Sequence, residues 1–449
     1  MAANVYSTSH GARPEVTARR HLDAVPGHRL RYAFASVATL ALASVAPCVA
    51  KAQASGASTG AAGAFGPSAA GARPFTIGVQ EQTTYDSDAA RSSGAGAAIR
   101  GLDGADVIYA PSITVDYNTY VGRQGVALTG YFGYDYYQRN TQLRREHIDV
   151  AASVNKALGR CLVGGRVAYD RGQSGLEDLV LTVTKNTIQT YTVGVNESCA
   201  TTSGLTESLQ VQYSAASNSA ATLVDYNTTG VSGSVGYGNR TLGNVSLIVS
   251  YTKTDYQNNV AIPALFGTPN GLEAVSGGVQ FSRPIGNRLA GQVGLFYTSS
   301  TTDRGPTSTA VQNGSFDGLT SNAGLTYRIG PRLVLNGTYA RSVQATIRQD
   351  AGYSINNIGN LTADYTVSSR IRLNLGGSWS REDFRGQNPL VPELAPNRVD
   401  LKTIYAGVAV KVGRNASVSG DVHHEESRTD LALFNFTSDR VSLTLATSF

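Results

Sequence analysis

The chain has 449 residues, of which 41% are hydrophobic and only 15% are charged, against a usual charged share of about 25%. So few charges exclude a solvated, disordered or nucleic-acid-coating chain. Three cysteines exclude a disulfide scaffold, and no cluster of residues has the pattern of a structural zinc site. The formal net charge of +5 does not indicate a nucleic-acid partner. Residues 1–54 hold six of the 37 basic and two of the 32 acidic residues, which leaves 31 and 30 for the rest of the chain.

Residues 1–54 have the pattern of a secretory signal peptide. Arg29 and Arg31 precede an apolar run over residues 32–49, and Ala52-Gln53-Ala54 is a small-x-small cleavage pattern. We therefore expect cleavage after Ala54 and export from the cytoplasm. The alternatives are an N-terminal membrane anchor, for which the run is short and rich in Ala and Ser, and a lipid attached to Cys48.

Residues 55–74 are mostly Ala, Gly and Ser and contain too few large apolar side chains to bury a core. This composition predicts a flexible periplasmic segment. The segment is also too short and featureless to plug a wide barrel.

From residue 75 to residue 449 the dominant signal is an alternation of period two. Apolar residues stand at every second position, as in Val245, Leu247, Val249 and Tyr251. Each segment runs for about ten residues, the length that a tilted strand needs to cross a bilayer. We count eighteen strands, with sixteen as the alternative. Their predicted first residues are Phe75, Ala105, Gly125, Glu146, Cys161, Asn186, Leu205, Asp225, Val245, Leu272, Leu289, Ser315, Leu333, Tyr353, Ile371, Arg398, Ala416 and Phe434.

The connections between these segments alternate in length. Short ones such as Gly286-Asn287-Arg288 carry turn residues, and longer polar ones such as residues 86–104 lie between them. Strands that are apolar on one face and polar on the other form either a soluble sandwich or a membrane barrel. A sandwich of this size would divide into domains, and a propeller would show a blade repeat, but the sequence has neither feature. The pattern predicts an all-β, antiparallel, up-and-down transmembrane β-barrel over residues 75–449.

The last predicted strand ends in an aromatic residue. Val441, Leu443, Leu445 and Phe449 share one face, although Thr447 interrupts the row. A C-terminal aromatic residue after an alternating strand resembles the assembly signal read by the barrel-assembly machinery. With the leader, this pattern predicts a Gram-negative outer-membrane location, with outer-membrane lipid around the barrel and both termini in the periplasm.

The start of the barrel resembles a known family. Tyr85-Asp86-Ser87-Asp88, followed by Asp106-Val107-Ile108-Tyr109 and Pro111, resembles the opening of the β-barrel porin 2 type of outer-membrane proteins. The motif covers about forty residues, and it departs from the family pattern where Asp88 or Ala89 stands in place of Asn. Some members are associated with exopolysaccharide export, so the resemblance implies a barrel with polysaccharide-export proteins as candidate partners.

No catalytic or cofactor site is predicted. After the leader the chain has three histidines, and Asp421, His423 and Glu425 share one face of a strand. These three residues form either a metal or acid–base site or a hydrated polar wall. The sequence has no G-x-S-x-G elbow, so we expect no enzyme activity and no cofactor.

Polar positions opposite the apolar rows predict a water-filled lumen. A long outer loop that folds into this lumen is an alternative. The residues predicted to line the lumen are Arg328, Asp364, Arg372, Glu382, Asp400, Lys402, Asp421 and Glu425. We expect a channel for small polar solutes, with an accessory component of exopolysaccharide export as the alternative.

One disulfide is predicted at the periplasmic rim. Cys161 opens the fifth predicted strand, and Cys199 lies just beyond the sixth. If these strands form a hairpin, both cysteines lie at its periplasmic end, about 4.8 Å apart, which is within bridging range. The alternative is two free thiols.

Overall fold

A computed structural model describes residues 74–174, 185–220, 223–239, 241–257, 270–303, 314–346, 348, 351–386 and 396–449. The predicted signal peptide, and the predicted flexible segment up to residue 73, lie outside the described residues. Among the described residues, no helix has both the length and the apolar character needed to span a membrane.

The described chain forms one closed sheet of eighteen antiparallel strands, as predicted. Each strand pairs with its neighbours in chain order, and the first strand also pairs with the last. The predicted first residues all lie within two residues of the observed ones. The strands are β1 (Phe75–Asp86), β2 (Asp106–Val121), β3 (Gln124–Tyr137), β4 (Arg145–Leu158), β5 (Cys161–Gln173), β6 (Thr187–Ala200), β7 (Leu205–Asn218), β8 (Asp225–Asn239), β9 (Gly243–Gln257), β10 (Gly271–Ile285), β11 (Leu289–Asp303), β12 (Ser315–Ile329), β13 (Leu333–Gln344), β14 (Tyr353–Thr366), β15 (Ile371–Arg385), β16 (Arg398–Lys411), β17 (Ala416–Thr429) and β18 (Phe436–Ser448).

Among the residues that the structure describes, three short helical elements lie between strands. The α-helix α1 (Gly94–Arg100) lies between β1 and β2, and 3-10 turns occupy Thr141–Leu143 and Ala432–Phe434. The sequence pattern predicted none of them, because a period of two identifies strands and carries no information about the connections between them.

The two ends of the barrel differ in their connections. Eight connections of two to four residues lie at one end, here called the turn end, together with the start of β1 and the end of β18. Nine connections of six to nineteen residues lie at the other, here called the loop end. Gly122, Gly159, Gly286 and Gly330 adopt φ between 60° and 64° in the short turns, a conformation that other residues adopt only with strain.

The outer surface carries an apolar belt. Outward rows of Leu, Val and Ile are largely exposed, with Leu295 at 60% and Leu361 at 63%. Tyrosines border the belt toward the turn end (Tyr237, Tyr327, Tyr365) and toward the loop end (Tyr191, Tyr251, Tyr297). A soluble protein rarely exposes so large a continuous apolar surface, whereas transmembrane barrels carry such a band between aromatic girdles.

The inner surface is lined by polar side chains that bond across neighbouring strands. The Thr298 and Thr320 hydroxyls are 2.7 Å apart, and those of Thr228 and Thr254 are 2.9 Å apart. Polar pairs of this kind cross the inner surface, and a few apolar side chains such as Ile248 and Phe296 are buried among them.

Strand pairing also joins the termini and the cysteines. The Phe449 N–H donates to the Ile77 carbonyl at 2.8 Å, so the last residue pairs with β1. Cys161 stands opposite Cys199 on β5 and β6 at the turn end, with Cα atoms 4.0 Å apart and the two sulfur atoms bonded.

Candidate functional site at the loop end

The connection between β1 and β2 folds over the mouth of the barrel. Within it, the Ser93 hydroxyl caps α1 by accepting from the Gly96 N–H at 3.2 Å, and Gly101 ends the helix with φ 64°. The helix contacts the Ala432–Phe434 turn between β17 and β18, where the Ser93 N–H donates to the Leu433 carbonyl at 3.0 Å.

Apolar packing holds this connection in place. Ala89, Ala90, Ala97 and Leu102 form a buried cluster with side chains from three other parts of the chain, namely Tyr137, Leu143 and Leu223. Leu223 belongs to the connection between β7 and β8, six strands further round the barrel. The first connection thus reaches across part of the opening rather than standing clear of it.

The acidic residues Asp86 and Asp106 anchor the folded connection. The buried Asp106 carboxylate accepts hydrogen bonds from four backbone N–H groups at 2.7–3.1 Å, three of them at residues 138–140. Asp86 accepts from the Asp88 N–H at 2.9 Å and from the Ser438 hydroxyl at 2.7 Å. The motif therefore has a structural explanation here, because its carboxylates satisfy the backbone donors that the turn exposes.

A charged network begins at Asp86 and crosses to β17 and β18. Arg91 lies 3.0 Å from Asp86 and 3.3 Å from Glu425, and Arg440 also pairs with Glu425. The Arg91 guanidinium also lies over the Phe436 ring, 5.3 Å from its centroid. All four charged side chains are largely buried, so each depends on its partners for the stability of its charge.

A second charged group faces the same space from β3 and β4. Asp135 lies 2.9 Å from both Arg145 Nε and His147 Nε2. On β17, His423 Nε2 lies 2.9 Å from Asp421, and the imidazole ring stacks on Tyr405 with centroids 5.3 Å apart.

Side chains from both groups line a chamber of about 170 Å³ beneath the folded connection, here called the mouth chamber. Three arginines (Arg91, Arg145, Arg440) and three aspartates (Asp86, Asp135, Asp421) are among its lining residues. Fixed charges of both signs therefore face one small cavity at the mouth.

A second connection narrows the mouth from the β13–β14 side. The Tyr256 hydroxyl on β9 accepts from the Thr346 N–H and donates to the Gly352 carbonyl, both at 3.3 Å. Arg348 lies over the Phe384 ring, 4.2 Å from its centroid, and donates to the Pro396 carbonyl. Because Tyr256 lies on the inward face beside Tyr226, the second connection also passes inside the rim.

Burial raises the pKa of Asp88, in the first connection, to about 6. The nearby Arg91 guanidinium lowers this pKa and the Asp86 carboxylate raises it, but the loss of water around the side chain dominates. Protonation of Asp88 is therefore favoured while the connection is folded in.

Six of the eight predicted lumen residues lie on the inward register. Their positions follow from pairing with inward neighbours. Arg328, Asp364 and Arg372 lie toward the turn end, Glu382 and Glu425 lie toward the loop end, and Asp421 lies near the middle of β17. Asp421 lines the mouth chamber, and Glu425 belongs to the network around it.

The lumen prediction is wrong for Asp400 and Lys402. They pair with the outward Arg381 and Trp379, and they share the face of β16 that carries the exposed Ile404 and Val408. Both lie at the loop end, beyond the belt, where an outward side chain meets water, and Asp400 forms an ion pair with Arg381 at 2.6 Å. Charge alone therefore does not mark an inward position near a strand end.

Sequence reasoning missed Arg91, Asp135, Arg145 and Arg440 as members of the site. Asp135 and Arg145 lie opposite each other in the β3–β4 pairing. The sequence therefore contained a usable signal for this ion pair, namely one charged residue at an inward position on each of two neighbouring strands. Arg91 offered none, because it lies in an irregular segment and its partners come from β1 and β17.

The described residues contain one group with the composition of a metal site, Cys161, Glu197 and Cys199. The two sulfur atoms are bonded to each other, so no thiolate is available as a ligand. His423 with Asp421 and Glu425 forms part of the charged wall of the mouth.

Comparisons with known proteins give structural matches only. No family model matches the chain, and no curated protein matches its sequence. Among solved structures, the chain is similar to the FrpB iron transporter of Neisseria meningitidis (TM-score 0.45, 8% identity, 79% of this chain and 62% of that one). It is also similar to OpdQ (TM-score 0.44, 11% identity, 84% and 98%) and OccK2 (TM-score 0.44, 10% identity, 84% and 97%) of Pseudomonas aeruginosa. The chain spans less than two thirds of the FrpB transporter.

Proposed function

We propose that this protein is a channel for small polar solutes in the outer membrane of a Gram-negative bacterium, with both termini in the periplasm. Support for the membrane location comes from the exposed apolar belt between two rows of tyrosines. In hydrocarbon a sheet must close so that every backbone group is paired, and this sheet closes through β1 and β18.

The observation that carries the channel assignment is the polar interior that leads to the charged mouth chamber. A lumen lined with hydroxyl, amide and charged groups holds water, while the folded connections restrict what enters. The opposed arginines and aspartates favour small solutes with polar or charged groups of either sign. Neither a catalytic group nor a cofactor is needed for this activity.

Reconstitution in planar bilayers tests this function. Purified, folded protein should give stable single-channel steps, and liposomes containing it should swell in small zwitterions faster than in disaccharides. Migration on SDS gels should change after boiling, because a closed barrel has no free edge at which to unravel. A correctly folded barrel that gives no conductance would contradict the channel function.

The second candidate is a structural or accessory component of exopolysaccharide export, assembled by the barrel-assembly machinery. The observation in its favour is that two folded connections narrow the mouth. In addition, the motif around Asp86 and Asp106 resembles the β-barrel porin 2 type, some members of which are associated with exopolysaccharide export. This second candidate is supported if the folded protein gives no conductance in bilayers and co-purifies with polysaccharide-export proteins.

A further inference from the structure

Arginines stand in most of the short connections at the turn end. Six of the eight short turns contain an exposed arginine among the described residues. These six residues, here called the arginine ring, are Arg123, Arg160, Arg288, Arg332, Arg370 and Arg414.

The side chains of the arginine ring are largely without acidic partners. Arg160 pairs with Glu207 at 2.9 Å, and both side chains remain about half exposed. The other five have no ion pair with any residue that the structure describes. At the loop end, in contrast, exposed arginines such as Arg381 and Arg398 pair with Asp400 and Asp383.

The barrel fixes the ring at the rim. The carbonyls of Arg288, Arg332 and Arg370 accept hydrogen bonds at 2.7–2.8 Å from N–H groups near the ends of adjoining strands. Their backbones are therefore held in place, while the exposed guanidinium groups are available to a ligand.

The ring lies just beyond the apolar belt. Tyr327 and Tyr365, which border the belt on the outer face, each stand five residues before a ring arginine. Aromatic side chains of such a girdle lie at the membrane interface. Residues immediately past them meet the phosphate groups of the lipid.

We propose that the arginine ring binds the phosphate headgroups of anionic phospholipids in the periplasmic leaflet. A guanidinium group forms paired, charge-assisted hydrogen bonds with phosphate oxygens. The ring arginines lie in turns from β2–β3 and β4–β5 round to β16–β17, so they suit an encircling shell of lipid better than one docked protein. This inference rests on the proposed membrane location.

Native mass spectrometry of the mature chain, released from bilayers of phosphatidylcholine and phosphatidylglycerol, tests the proposal. We expect phosphatidylglycerol to be retained in preference, by up to about fivefold in affinity for each arginine engaged. A variant with all six arginines changed to Gln should lose the preference. The matched control changes Arg381, Arg398 and Arg428 at the loop end to Gln and should keep it.

Heat-modifiable migration first verifies that each variant is folded, and R288Q/R332Q/R370Q replaces the sixfold variant if the latter does not fold. Insertion with equal retention of the two lipids, or a preference that survives loss of the ring, overturns this inference alone. Failure of the unmodified protein to insert in any bilayer overturns the membrane location and this inference together.

Discussion

At the turn end, neighbouring strands are joined by two to four residues, and exposed arginines there have few partners. At the loop end, the nineteen-residue connection between β1 and β2 folds back over the barrel, and it buries charges in pairs such as Arg91 with Asp86. The turn end is thus specified locally, by glycines and the strand register. The loop end is specified by contacts between distant parts of the chain, such as Arg91 with Glu425.

The difference shows how one barrel separates two tasks. The short turns fix the strand register and the rim of the barrel. Each turn brings two neighbouring strands together at a small cost in chain entropy, because it contains few residues. The long connections need buried charge pairs and apolar packing to remain folded over the mouth. A substitution of a charged residue should therefore have a large effect at the mouth and a small one where the pair is exposed.

The largest effect is expected for Arg91→Ala. This change leaves Asp86 buried without its cation and removes one of the two cations beside Glu425, at a cost of about 3–5 kcal/mol to closure of the first connection. Proteinase K should then cut residues 87–105 faster than in the unmodified protein. Arg428→Ala, which removes an exposed pair with Glu426 worth about 1 kcal/mol or less, is the control, and equal cleavage rates in the two variants would contradict the comparison.

Between the two ends, the same substitution should have different effects on stability at outward and at inward positions of the barrel wall. Leu375 is outward, 56% exposed and lies within the belt, whereas the adjacent Asn374 pairs with inward Asp364 and Gly407. Leu375→Arg should lower the free energy of unfolding in lipid vesicles by about 2–4 kcal/mol. Asn374→Arg should leave it nearly unchanged and alter ion selectivity instead. Similar losses of stability in both variants would show that the two faces are wrongly assigned.

At the turn end, the Cys161–Cys199 bond closes a sequence separation of 38 residues. Its removal in a Cys161→Ser, Cys199→Ser variant should cost about 2–4 kcal/mol, since the unfolded chain gains freedom. Thiol titration of the unfolded, unreduced mature protein should detect no free thiol. Two thiols per chain would show that the bridge does not form.

Glu81 should destabilise the barrel, because it stands in the outward row of β1, between Val79 and Tyr85 and opposite Pro111 and Leu445. Glu81→Leu should raise the free energy of unfolding in lipid by about 1–2 kcal/mol. The same change at the inward neighbour Gln80 should bring no gain. If Glu81→Leu lowers stability, the carboxylate has a partner in the membrane.

The smallest expected effect is the pH dependence of the first connection. Because the folded connection binds the Asp88 proton more tightly than the opened one, the contribution of Asp88 to the stability of the connection is fully present below pH 3.8 and is lost as the pH rises through about 6. Cysteine labelling at a residue introduced at Ala89 should therefore be slower at pH 5 than at pH 7.5, after correction for thiol ionisation. Asp88→Asn should remove the difference, and a difference that persists would assign it to another group.

The strands were predictable from the sequence because each one repeats the same local rule. An apolar residue at every second position fixes both the strand and its face, and Leu335 and Leu373 lie outward as that rule requires. The rule fails at Asp400 and Lys402, since beyond the belt the outward face meets water and charge no longer indicates direction.

The mouth was not predictable, for a different physical reason. Residues 87–105 carry neither a strand period nor a strong helical pattern, and α1 is held by contacts with Leu433 and Leu223 that lie far away in the sequence. The motif around Asp86 and Asp106 marked the region as unusual. Its role as an anchor depends on contacts with β18 and with the β3–β4 connection, which are distant from the motif in the sequence.

Single-channel recording in planar bilayers, with the unmodified protein and Arg91→Ala side by side, decides whether this barrel is a channel gated by its mouth. We expect stable steps from the unmodified protein and larger steps from the variant, because loss of the buried cation releases the first connection. Absence of steps from both folded proteins would contradict the channel. Steps of equal size would contradict the proposal that the folded first connection restricts what enters the barrel.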